Sequence, residues 1–188
     1  MNKNLWAVLG IVIVVIILFV GSFISQYNKA IRMNEAVSAQ WAQVENQLKR
    51  RFDLIPNLVE TVKGYAAHEK EVFEHIADAR KAYFAAKSVG QKARAAGELE
   101  GALSRLLLLQ ERYPELKANE SFLKLHDSLE GTENRIAVER KRYNDQVRIL
   151  NTYVKSFPGR FFAAWAGVEK AQYFKIPEVE KETPKVKF

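Results

Sequence analysis

The chain has no cysteine. Disulfides, thiolate catalysis, cysteine-ligated zinc and a lipid anchor on cysteine are therefore excluded, and the redox compartment stays open. Histidine is scarce, with three residues at 68, 75 and 126. His68 and Glu69 begin an H-E-x-x-H, but position 72 is Val, so the second zinc ligand is missing. His75 lies about 10.5 Å further along a helix, too far to share one ion with His68. A di-iron bundle needs Glu three residues before its histidines, and those places hold Tyr65, Val72 and Leu123. There is no phosphate-cradling glycine loop and no Gly-x-Ser-x-Gly, and Ser104, Ser121 and Ser128 have no evident base. The expectation is a protein that is not an enzyme, with no catalytic residues, metal site or cofactor.

Proline is also sparse, since between residues 25 and 157 it occurs only at 56 and 114. Strand-like alternation is absent, whereas apolar residues recur at i, i+3 and i+4, so the body reads as all-α. Ile31, Val37, Trp41, Val44, Leu48 and Phe52 keep a helical period. Asp53, which can cap, and Pro56, tolerated in a first turn, predict a corner there. A second helix is expected over 54–87 and a third over 91–112, with Asn119 capping a fourth over 120–155. Phe122, Leu129, Ile136, Tyr143 and Leu150 fall seven residues apart, a seam that favours near-antiparallel packing. The predicted architecture is an N-terminal transmembrane helix continuing into an antiparallel four-helix up-down bundle, followed by a C-terminal aromatic amphipathic helix. The expected divisions are 1–26, tail and membrane helix; 27–156, bundle; 157–175, aromatic segment; and 176–188, an extended or disordered tail.

What is abundant is apolar residues at the start. LWAVLGIVIVVIILFVGSFI, residues 5–24, carries no charge. As a helix it is about 30 Å long, the hydrocarbon thickness of a bilayer. Leu5, Trp6, Ile11, Ile17, Phe19 and Ile24 are read as membrane-spanning. A cleaved signal peptide is the competing reading, with Val20-Gly21-Ser22 as the site, but the run exceeds the usual apolar region of about 7–15 residues. Lys3 on one side and Lys29 and Arg32 on the other leave orientation undecided by charge.

With Lys3 set aside, 28 basic residues face 22 acidic ones, leaving about +6 on the remainder. That excess suits either a domain near anionic headgroups or an ordinary solvated helical surface. VERKRYNDQVR, residues 138–148, is diluted by Glu139 and Asp145 and accompanies no nucleic-acid fold, so no nucleic-acid partner is expected. Phe161, Phe162, Trp165 and Val168 can share one face, with Arg160 and Lys170 at its edges. They form a candidate contact with membrane or with another subunit. Arg50, Arg51, Asn57, Glu60, Glu130 and Asn134 are candidate polar residues of the bundle interior or of an interface. If buried, they must satisfy one another, because unpaired buried polar groups cost several kcal/mol.

LKRRFDLIPNLVETVKGYAAHE (48–69), ADAR (77–80), RYPELKANESFLKL (112–125), EGTENRIAVERKRYNDQVRILN (130–151), the FP at 157 and the terminal PKVKF together resemble the LemA family of bacterial membrane proteins. The resemblance covers nearly the whole chain. It implies a membrane helix, an antiparallel helical bundle, and a domain facing the cytoplasm from the plasma (inner) membrane. It transfers no catalytic residue. Around His126 the sequence departs from the family's usual acidic or amide residue. Three functions follow for a single-pass protein in the bilayer: a non-enzymatic scaffold that self-assembles or organises the membrane, with a homo-oligomer expected; an adaptor in signalling or envelope quality control binding an unknown protein; and a membrane enzyme using buried carboxylates such as Glu60 or Glu130.

Overall fold

The computed structural model describes residues 3–175, with side chains from Trp6 onward. The expected tail at 176–188 and the side chain of Leu5 lie outside the described residues. Within them every regular element is helical: α1 (Lys3–Ala66), α2 (Lys70–Ala85), α3 (Val89–Leu108) with a 3-10 turn at Leu109–Glu111, α4 (Pro114–Lys117), α5 (Glu120–Lys155) and α6 (Gly159–Trp165). They divide into two compact units, residues 3–42 with 142–171, and residues 43–141 with 172–175.

In the second unit, the corner expected at Asp53–Pro56 is not there: α1 stays helical through Pro56 to Ala66. The reason is competition between one local defect and a long apolar stripe. An interior proline costs about 3 kcal/mol. Leu48, Phe52, Ile55, Leu58, Val62 and Ala66 are all buried at helical spacing across it, and each large side chain gains roughly 1.5–3 kcal/mol from burial. Pro56 itself lies on the exposed face, where water can take the carbonyl it leaves unpaired. The chain turns instead at Ala67 and His68, with the Glu69 amide donating to the Ala66 carbonyl at 3.1 Å. Glu69 then precedes α2 without capping it through its own side chain. Its carboxylate is held by the Tyr113 hydroxyl at 3.3 Å and the Arg112 guanidinium at 3.0 Å.

Ser88 and Gln91 form a reciprocal capping box that starts α3. Ala93, Ala96, Leu99, Leu103 and Leu106 are buried along it, and α3 packs on α2, which buries Ile76, Ala79 and Tyr83. Pro114 opens α4, and the Asn119 side chain accepts from the Phe122 amide at 2.9 Å to cap α5 as the sequence predicts. Phe122, Leu129 and Ile136 of the seven-residue seam are buried in this unit, as is Phe174, with the Arg140 guanidinium 5.9 Å from its ring centroid.

The first unit buries Ala30 and Val37 of α1 and Tyr143, Val147 and Leu150 of α5, with Trp41 and Tyr143 rings 5.3 Å apart. The Tyr153 hydroxyl donates to the Gln26 carbonyl at 3.0 Å. After α5 the Phe157–Pro158 bond is cis, and Gly159 passes so close to Tyr153 that a Cβ would stand 2.4 Å from its carbonyl oxygen. Only glycine fits there.

The aromatic helix expected within the segment 157–175 is short. It stops at Trp165, because Gly167 adopts φ +66° and closes a helix-ending motif: its amide bonds Ala164 at 3.2 Å, and that of Val168 bonds Ala163 at 2.8 Å. The following segment is not helical. The buried Asn151 side chain grips the Ala171 backbone, donating to its carbonyl and accepting from its amide, both at 2.9 Å.

Candidate functional site

Arg51 is the one polar candidate that the fold takes inside. It projects from the buried face of α1 one turn after Gln47, and its Nη1 donates to Glu133 Oε2 at 2.5 Å. The Arg51 Nε and Gln47 Oε1 are buried without a hydrogen-bond partner. Thr132, also buried, turns its hydroxyl back to the Leu129 carbonyl at 2.8 Å. Arg50, Asn57, Glu60, Glu130 and Asn134 are exposed instead. Glu60 meets Lys63 at 3.0 Å, and Glu130 lies 3.7 Å from His126. The idea of a buried carboxylate site at Glu60 or Glu130 is therefore corrected.

Helix geometry explains the selection. Leu129, Thr132, Glu133 and Ile136 follow the i, i+3, i+4, i+7 spacing of one face, so Glu133 looks inward while its neighbours Glu130 and Asn134 look out. That spacing was present in the sequence, and it identifies Glu133, the residue missing from the candidates. The Arg51–Glu133 ion pair ties α5 to α1 in this unit. Among the described residues no three of His, Asp and Glu converge as a metal site.

Nearby, Tyr83 packs against Phe52 with centroids 4.4 Å apart. Burial first, and then the charge of Glu45, push its phenol up to about 12; Glu45 itself pairs with Lys92. In the first unit burial likewise raises Tyr143 to about 12, and it raises Tyr153.

The second cluster is aromatic. Trp6, Ile11, Ile17, Phe19 and Ile24 stand exposed on α1, as do all side chains from Trp6 to Ser22. Burial begins at Phe23, whose ring lies 5.3 Å from Phe162 and 4.9 Å from Trp165. Phe162 is thus half-buried, whereas Phe161 and Trp165 are exposed. Val168 is not on that outer face: the Gly167 turn carries it into the unit, where it is buried. Phe157 is exposed and meets Phe161 edge-on at 5.9 Å. It escaped the sequence reading because it precedes Pro158, outside any helical period.

A third feature is an open groove between α2 and α3. His75, Asp78, Ala82, Arg94, Gly97 and Gly101 are among the residues lining it, and the Arg105 guanidinium is 3.4 Å from His75 Nδ1.

The LemA family model matches residues 40–188. The chain is 26% identical over 194 aligned positions to magnetosome protein MamQ 2 of Paramagnetospirillum magneticum (strain ATCC 700264 / AMB-1), covering 89% of this chain and 71% of that one. It is 26% identical over 192 positions to magnetosome protein MamQ of Magnetospirillum gryphiswaldense (strain DSM 6361 / JCM 21280 / NBRC 15271 / MSR-1), covering 88% and 71%.

Proposed function

The chain belongs to the LemA family, and from that membership and its one long apolar helix we propose that it is a non-enzymatic, single-pass scaffold of the bacterial plasma membrane. Its helices form an antiparallel up-down bundle that self-associates and organises the bilayer around it. The observation that carries this reading is α1. Residues 6–22 expose every side chain, and α1 reaches a mean hydropathy of 3.2 over its most apolar 18 residues, a surface that lipid accommodates and water does not. The similarity to proteins named for the magnetosome supports a role in building a cellular structure rather than in turnover of a metabolite. Full-length protein reconstituted into liposomes, imaged by electron cryomicroscopy and sized by crosslinking, tests this. Ordered assemblies or altered vesicle shape are expected. A monomer on unchanged spherical vesicles would remove the scaffold function.

One observation favours a second reading, a membrane-tethered adaptor. The groove between α2 and α3 is lined by small residues, Ala79, Ala82, Gly97 and Gly101, with charged groups at its edges, the form of a surface that accepts a helix. Crosslinking in cells separates the two. Links mainly between copies support the scaffold; one dominant foreign partner supports the adaptor.

A further inference from the structure

The first unit leaves three large rings uncovered at one level. Phe157, Phe161 and Trp165 are 81%, 51% and 67% exposed; Phe161 and Trp165 are four residues apart on α6, a step that favours a common side, and the Phe157 ring meets that of Phe161 at 5.9 Å. Phe23 fixes their height. It is the last residue but one of the uncharged run 5–24, about 1.5 Å from the run's end along a helix. A run matched to about 30 Å of hydrocarbon puts that ring at the boundary between acyl chains and headgroups. Phe23 is in ring contact with Trp165 at 4.9 Å and with Phe162 at 5.3 Å, so α6 stands at the same depth.

Its position is held by the Tyr153 hydroxyl on Gln26 and by the close passage of Gly159 over Tyr153. Tryptophan favours that boundary. The charge also fits, since Lys155, Arg160 and Lys170 against Glu169 leave +2 on residues 155–170. The Arg160 guanidinium lies 5.1 Å from the Phe161 ring centroid, an apolar body with a cation at its edge, as in helices that lie in the interface.

We propose that Phe157, Phe161 and Trp165 are immersed in the bilayer surface where α1 leaves the membrane, with Arg160 among anionic headgroups. This rests on residues 5–24 crossing the bilayer. A second copy of the chain is the weaker occupant. Three rings exposed to this degree offer roughly 400 Å², about half of what one side of a stable protein interface buries.

The test uses the full chain in vesicles of phosphatidylcholine and phosphatidylglycerol, with Trp6→Phe and Trp41→Phe leaving Trp165 as the sole tryptophan. Lipids brominated near the headgroup end of the acyl chain are expected to quench Trp165 at least twofold, and aqueous iodide to have little effect. Quenching by iodide alone, or by neither agent, would overturn the proposal, the first showing water over the ring and the second protein. A chain with Leu18→Trp and the native tryptophans changed to Phe separates the premise from the inference. If Leu18→Trp is not quenched by mid-chain bromines, the span and the proposal fall together; if it is, and Trp165 is not, only the proposal falls. The difference between the unmodified chain and Trp165→Phe gives the same readout without other replacements. Arg160→Gln should weaken the dependence of Trp165 quenching on phosphatidylglycerol, and an unchanged dependence would remove the arginine from the site.

Discussion

Two stretches of the same helix, residues 6–22 and 44–66 of α1, are both rich in apolar side chains and meet opposite fates. The first exposes every one of them, whereas the second buries a single stripe from Val44 to Ala66. Hydrophobicity alone does not set burial. A helix apolar on all sides gives no preferred face to a protein neighbour and calls for an apolar solvent, while one striped every 3.6 residues directs its packing. The stripe is also strong enough to carry a proline.

That contrast breaks most sharply at Phe52, fully buried against Tyr83. Phe52→Ala should cost about 3–5 kcal/mol of stability, read as a loss of helical signal at lower denaturant in detergent-solubilised full-length protein. Val14→Ala in the exposed stretch should change it by under about 0.5 kcal/mol. The next effect is at the ion pair. Glu133→Gln leaves a buried guanidinium without its counter-charge and should cost about 2–3 kcal/mol, while Arg51→Met in the same background should recover most of that loss. Equal stabilities for the single and double variants would show that the pair does not couple.

Pro56→Ala sharpens the contrast from the other side. Restoring an amide in an exposed helix interior should stabilise by about 2 kcal/mol, the proline's cost less the chain entropy it saves; a destabilisation would mean that the proline is required by the helix rather than tolerated. The smallest effect is alkaline. Tyr83 and Tyr143 have folded-state values near 12 against about 10 when unfolded. Their neutral forms therefore support the fold fully below pH 10, and this support is lost as the pH rises toward 12. Absorbance titration should show Tyr83 and Tyr143 ionising later than a free tyrosine, with thermal stability falling over the same interval.

Much of the fold was legible because helical periodicity is repeated in long segments. Asn119 as a cap and the buried seam from Phe122 to Leu150 are where the sequence puts them. Asp53 and Pro56 misled because each is a local signal, worth a few kcal/mol, set against six stripe residues whose burial depends on partners distant in sequence. Gly167 was the opposite case, a local signal that did decide the backbone and ended α6 early. At the candidate site, Arg51, Phe161 and Trp165 could be singled out by residue type. Which carboxylate meets Arg51, and which rings stay uncovered, depended on packing that one sequence does not display.

The Arg51–Glu133 contact has one more consequence, for sliding. A seam of apolar residues every seven positions lets a helix shift by one repeat, about 10.5 Å, with little loss of apolar contact, so the seam alone does not define the alignment of α5 with α1 in this unit. The residues seven before and seven after Glu133 are His126 and Arg140. A slip in one direction would set arginine against arginine, and in the other histidine against arginine. Neither supplies the anion that the buried guanidinium needs, and so a single carboxylate at position 133 removes both displaced alignments.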